Sequence, residues 1–267
     1  MRMPHRTSLA FAIAAICCAT SAGAQQAAGT GGQAEPAGVP APVVAPEADR
    51  LLQAMGAYLG AADEFTFRAE TSFDHVLPTG QAVQFGGVEE VGVARPNRVY
   101  VDWQSDLGTR QLWYDGTSVT LTDPDTPFYA AEPAPDSIDA ALAMITDKLG
   151  FTPPLGDFLH ADPYAALRDG VRYGVYLGTS EIGGRECHSL AFVDSQIDWQ
   201  IWIDSGPRPT PCKLLITYLT RPGNPRYSAV FTDWDFSPKI AASRFVADVP
   251  PGSGKIPFKL EPAAVQP

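Results

Sequence analysis

Residues 65–73 read Phe-Thr-Phe-Arg-Ala-Glu-Thr-Ser-Phe. Phe65, Phe67, Ala69 and Phe73 share one parity, and Thr66, Arg68, Glu70 and Ser72 share the other. A period of two with one apolar side predicts an amphipathic β-strand whose inner face meets a core. The same alternation recurs downstream. Arg98 to Trp103 sets Val99, Val101 and Trp103 against Tyr100 and Asp102, and the runs 110–114 and 118–122 flank Asp115-Gly116, a strong hairpin signal. The strand through residues 65–77 turns at Pro78-Thr79-Gly80 into another over 81–94. There Gly86-Gly87 and the doubled Glu89-Glu90 interrupt the alternation, which predicts a bulge or a sharp bend. Strands that follow one another through short turns form an antiparallel meander, not a βαβ series.

The period then changes. Asp136-Ser137 caps a predicted helix to Leu149 with Ile138, Ala141, Leu142, Ile145 and Leu149 on one face, closed by Gly150. The segment from Phe151 to Pro154 reads as a hinge, Leu155 to Leu159 as an apolar turn, and Asp162-Pro163 as the start of a small helix that stops at Gly170. Strands resume over 173–182, 187–193, 199–203, 213–219 and 227–236, and the Pro- and Gly-rich 245–258 is expected to cover an edge. Upstream, Pro46-Glu47 opens a helix with Leu51, Leu52, Met55, Tyr58, Leu59 and Ala62 on one stripe.

The N-terminus is read as a targeting segment. Arg2, His5 and Arg6 precede an apolar run, and Ala22-Gly23-Ala24 offers the small residues of a cleavage site, so residues 1–24 are expected to be a signal peptide. Ile16 and Cys17 stand before the two leader cysteines, without the small residue a lipid-anchor signal needs, so a soluble exported product is expected. Residues 25–46, rich in Ala, Gly, Pro and Gln, read as a flexible tether, 47–258 as one domain, and 259–267 as a disordered tail. The whole chain carries a formal charge of −11; losing Arg2 and Arg6 with the leader deepens it to −13. That charge argues against nucleic acid and against anionic lipid surfaces. Only Cys187 and Cys212 survive cleavage, and two thiols in an exported chain are expected to pair. The crosslink stabilises by about 3 kcal/mol in the chain-entropy model.

Catalytic and metal signatures are sparse. His75, His160 and His188 fall on different predicted elements without a second ligand at helical spacing, so no metal site is expected. Of the acidic pairs Glu89/Glu90, Asp123/Asp125 and Asp233/Asp235, the last projects to one strand face, read as the solvent side with Trp234 and Phe236 inward. A hydrolase built on that pair is the weakest of the functional readings. No G-x-S-x-G occurs, and Gly252-Ser253-Gly254-Lys255 lacks the first glycine and the hydroxyl residue of a phosphate loop. No cofactor and no enzymatic activity are expected.

Trp103, Trp113, Trp199, Trp202 and Trp234 all fall in predicted strands, and several strands are apolar on both faces. Trp199, Ile201 and Ile203 oppose Trp202; Leu214, Ile216 and Tyr218 oppose Leu215 and Leu219. Two readings follow. One is a large filled core, serving a structural or interaction module. The other is a curved sheet whose concave face is a ligand cavity under the helices. In the second, parity places Phe65, Phe67, Val99, Val101, Trp103, Leu112 and Tyr114 on the cavity wall, opposite Leu142 and Ile145 on a movable helical cover.

The order of signal, tether, amphipathic helix, meander, helical insertion and second meander resembles the periplasmic lipoprotein-carrier superfamily, the LolA/LolB-like fold. It is most similar to a branch of predicted periplasmic proteins of unknown function. The resemblance rests on Leu51-Leu52-x-x-Met55, Phe65-Thr66-Phe67-Arg68-Ala69, Arg95-Pro96-Asn97-Arg98 before Val99-x-Val101, Leu112-x-Tyr114-Asp115-Gly116, and Thr210-Pro211-Cys212-Lys213. It implies an α+β fold: a strongly curved antiparallel sheet, a half-open β-barrel, with helices over the concave face. It further implies a periplasmic, non-enzymatic carrier of an acyl chain or other hydrophobic group, or an envelope sensor with a protein partner. A basic residue holds the lid in the true carrier; the candidate for it here is Arg68.

Overall fold

The computed structural model describes residues 43–149 and 152–258. The expected signal peptide, most of the tether, the tail, and Gly150 and Phe151 at the start of the expected hinge lie outside the described residues. The tether as read ends too late. Val43–Val44 is already a strand, β1, and Pro46 is the first residue of helix α1, Pro46–Gly60. Pro fits there because its missing N–H has no partner in the first turn, and Glu47 and Asp49 suit the positive end of the helix dipole.

The first meander runs β2 (Glu64–Val76), β3 (Ala82–Ala94), β4 (Arg98–Ser105), β5 (Gly108–Tyr114), β6 (Ser118–Thr122) and β7 (Phe128–Pro133). The helical insertion follows: α2 (Ile138–Leu149), a 3-10 turn (Gly156–Leu159) and α3 (Pro163–Arg168), with Asp162 accepting from the Ala165 amide as N-cap. The second meander is β8 (Tyr173–Ile182), β9 (Arg185–Val193), β10 (Ile197–Asp204), β11 (Pro211–Tyr218) and β12 (Arg226–Asp235), and β13 (Gly254–Ile256) comes last. The described strands form one open sheet in the order β1-β8-β9-β10-β11-β12-β2-β3-β4-β5-β6-β7-β13. The insertion thus carries the chain from one edge to the other, and β12 closes the two meanders by pairing with β2. All pairs are antiparallel except the short strands at the two rims, β1 on β8 and β13 on β7.

Two details correct the reading of the sequence. β3 pairs with β2 without a register shift from Glu64↔Ala94 to Val76↔Ala82, so Glu89-Glu90 makes no bulge. Register shifts fall instead in β8 between Tyr176 and Gly178, in β10 between Trp202 and Ile203, and in β12, where Asp233 has φ +54° and the pairing with β2 slips between Thr232 and Asp235. That slip turns both Phe231 and Trp234 inward: Trp234 lies 4.5 Å from the Phe67 ring and 5.8 Å from Phe231. Asp233 and Asp235 stay exposed, as read.

One face of the sheet packs under the helices. Phe158 of the 3-10 turn meets Phe231 edge-on at 5.5 Å, and α1 buries Leu52, Met55 and Leu59 completely. The other face is partly covered as well, at β4. The C-terminal segment crosses it, so that Phe245 lies 5.7 Å from the Tyr100 ring, Arg98 and Arg244 cover those rings, and Arg244 donates to Asp102. Gly92 lies so close under Tyr100 that a Cβ there would come within 2.1 Å of the ring. The segment 245–258 therefore does more than shield the β7 edge, which β13 pairs.

Candidate functional site

The registers line up the concave face in rows. One row is Phe65, Val93, Val99, Tyr114 and Val119; the next is Phe67, Val91, Val101, Leu112 and Leu121; a third is Phe231, Ala69, Glu89, Trp103 and Arg110. Directly paired residues lie on the same side of a sheet. All seven strand residues assigned to the wall by parity are thus on one face. The cover over them is unequal. Phe65, Phe67, Val99 and Tyr114 are 0–5 % exposed, and the Tyr114 hydroxyl donates to the Pro135 carbonyl. Val101, Leu112 and Trp103 are only half-buried, as are Phe73 and Phe85 farther along the same face. On α2, Ile145 is buried and Leu142 half-buried, near Gly156 of the 3-10 turn.

The inner face of β2 is not wholly apolar. Thr71 is 5 % exposed, and among the described residues neither its hydroxyl nor the enclosed indole N–H of Trp103, packed over Gly87, has a hydrogen-bond partner. Between them lies Glu89, paired in register with Ala69 on one side and Trp103 on the other. Tyr227 of β12 donates to Glu89 Oε1 at 3.0 Å. Loss of hydration raises this carboxyl to about 7, against the Tyr227 hydrogen bond, which favours the charged form. The Tyr227 phenol is raised well above its ordinary value by the same burial. Sequence reading missed Glu89 as an inward group. Parity gives its side, since Val83, Phe85, Gly87, Glu89, Val91 and Val93 are one alternation, but not what a carboxyl meets there, which is Tyr227 of β12.

The lid contact is also reassigned. Arg68 points to the opposite face and pairs with Glu90 at 3.0 Å. Arg95, at the end of the β3 hairpin, instead reaches the helical layer. Its Nη1 donates to the Leu159 carbonyl at 2.7 Å and its Nε to Ala62 at 3.2 Å, with the guanidinium over Phe65. Asp157 in the same 3-10 turn is buried enough to be raised above the usual carboxylate range. Cys187 and Cys212 form a disulfide with Cα atoms 6.7 Å apart, tying β9 to β11. Two hollows open elsewhere: a cleft of about 410 Å³ beside Arg185, Asp204 and Trp234, and a shallow one of about 520 Å³ along Thr71, Gly87 and Gln104. Neither is lined by the nine residues assigned to the wall. Among the described residues no group of His, Cys, Asp or Glu has the arrangement of a metal site, and no helix is long and apolar enough to cross a membrane. His160 bonds Asp139, and His188 bonds the Tyr176 hydroxyl.

A family model described as "Predicted periplasmic protein (DUF2092)" matches residues 48–259. No curated protein matches the sequence. Among solved structures, the lipoprotein LppX of Mycobacterium tuberculosis aligns at 12 % identity and TM-score 0.44, over 71 % of this chain and 95 % of that one. An uncharacterized conserved protein of Thermus thermophilus aligns at 9 % and 0.46, over 79 % and 99 %. A LolA superfamily protein of Nitrosomonas europaea aligns at 11 % and 0.38, over 75 % and 98 %.

Proposed function

The chain belongs to the DUF2092 family of predicted periplasmic proteins, and from that premise we propose that it is a non-catalytic binding protein for an acyl chain or similar apolar group. The ligand lies against the part of the concave face that the helices leave half-covered. The observation that carries this reading is the gradient along the rows: Phe65 and Val99 are sealed, whereas Val101, Leu112, Trp103, Phe73 and Phe85 keep accessible apolar surface on one continuous wall. Each 100 Å² of such surface withdrawn from water by a ligand is worth about 2.5 kcal/mol. The sealed residues Phe65, Phe67, Val99 and Tyr114 serve as the packed floor, with Ile145 and Leu142 of α2 on the cover.

Displacement of the neutral probe N-phenyl-1-naphthylamine by monolaurin tests this. Val101→Trp fills ligand space under this reading and weakens displacement while leaving stability nearly unchanged. A Trp that costs about 1–3 kcal/mol of stability in a protein that never bound the probe means a filled core. One observation favours the alternative, a module with an envelope protein partner. Among the described residues, β8 is paired on its outer side only at Tyr173 and Gly174, and beyond them Val175 and Leu177 are 47 % and 57 % exposed. Native mass spectrometry of the exported protein separates the two: bound lipid supports the carrier, and a lipid-free protein that retains a polypeptide supports the module.

A further inference from the structure

The concave wall carries one carboxyl that an apolar cavity does not need. We infer that Glu89 makes the site selective, admitting acyl ligands whose head is uncharged and offers a hydroxyl, and turning away ligands with an anionic head. This deepens the reading above and rests on it. Glu89 sits one row from Val101 and Leu112, so a chain lying on those residues brings its head beside the carboxyl. Oε1 is held by Tyr227. Oε2 has no hydrogen bond among the described residues, and it is not one of the enclosed, unpartnered atoms. It is therefore the oxygen a ligand meets.

Among the described residues the groups around it offer no free cation to hold an anion, and the two unpartnered donors, the Thr71 hydroxyl and the Trp103 indole N–H, are enclosed. From β12 comes the Tyr227 phenol; from β11, Tyr218 close behind it, also raised by burial; from the 3-10 turn, Asp157, which acts on Tyr218. From β4 comes the Trp103 indole, and from β2 Ala69 and the enclosed Thr71 hydroxyl, none of them charged. The cation of this row, Arg110 on β5, is already bound to Asp123. A hydroxyl both donates and accepts, so it bonds Glu89 whether or not the carboxyl is ionised. A second carboxylate meets only repulsion once Glu89 has lost its proton.

The experiment uses the mature full chain and follows displacement of N-phenyl-1-naphthylamine by monolaurin and by laurate at about pH 6 and about pH 8. Laurate, as an exposed carboxyl, is ionised at both. With Glu89 titrating near 7, the wild type binds monolaurin equally at the two pH values and laurate about tenfold more weakly at the higher one. Glu89→Gln keeps an acceptor for Tyr227 and cannot ionise, so its laurate affinity, measured relative to its own monolaurin affinity, no longer changes between the two pH values. Tyr227→Phe removes the bond that favours the charged form, so it moves the laurate transition to higher pH. If monolaurin binds but laurate binds equally at both pH values, or if Glu89→Gln keeps the tenfold loss, the inference fails while the apolar site stands. If neither lipid displaces the probe, the site itself is refuted and the inference falls with it.

Discussion

Glu89→Gln should make the protein more stable, and increasingly so as the pH rises. The reason is a carboxyl whose folded-state value is raised to about 7 from the ordinary 4.5 by burial. Below the ordinary value both folded and unfolded chains hold the proton, and burial costs no charge. Between 4.5 and about 7 the unfolded chain gives up its proton first, so folding must take one up, and stability falls as pH rises. Above about 7 the full cost is present. At about 1.4 kcal/mol per pH unit, the interval corresponds to about 3 kcal/mol as an upper bound. Glutamine cannot ionise, fills nearly the same space and still accepts from Tyr227. Other titrating groups are common to both proteins and cancel in the difference. Urea unfolding across the range of about pH 5 to 8 should therefore show the stability gap in favour of Gln widening by about 2–3 kcal/mol. Parallel curves would refute the burial of the carboxyl, and a variant weaker than wild type at the alkaline end would reverse the sign of the argument.

The disulfide and the lid contact give two further expectations. The Cys187–Cys212 bond closes a loop with a sequence separation of 25, so Cys187→Ser with Cys212→Ser should lower unfolding free energy by about 3 kcal/mol in denaturant melts under oxidising conditions; thiol labelling of the denatured, unreduced mature protein should find no free cysteine, and two labelled sites would contradict the bond. Arg95→Met removes two charge-assisted hydrogen bonds to the carbonyls of Ala62 and Leu159. It should cost about 2 kcal/mol and raise amide exchange at the end of α1 and around the 3-10 turn before the strands respond, whereas uniform loss of protection would place Arg95 in the global core instead.

The elements that carry a period were legible in the chain alone. The alternation from Phe65, the strand 118–122 and the helix from Pro46 match observed elements, because a strand or helix with one buried face must repeat apolar residues at about 2.0 or 3.6. The hairpin at Asp115-Gly116 was legible for an equally local reason. The Asp115 carboxylate accepts from the amides of Thr117 and Ser118, and Gly116 takes the positive φ of 94° that the turn requires. The short rim strands were not legible: Val43–Val44 and Gly254–Ile256 are too brief to show a period, and only the free edges of β8 and β7 make strands of them. The same holds for β7 itself, whose Phe-Tyr-Ala-Ala-Glu-Pro does not alternate.

Parity also placed the wall residues on one face, but it does not say how deeply each is covered. Cover depends on where the insertion lands, and the insertion is held by Arg95 and not by Arg68. The sharpest case is Glu89. Read locally, two glutamates in a row look like a break in a strand, since a charged residue has no reason to face a core. The reason lies 138 residues away, in the Tyr227 hydroxyl that β12 brings to it by pairing with β2. Periodicity is a property of neighbours in the chain and can be read from them; a buried charge is set by a partner that only the folded sheet supplies.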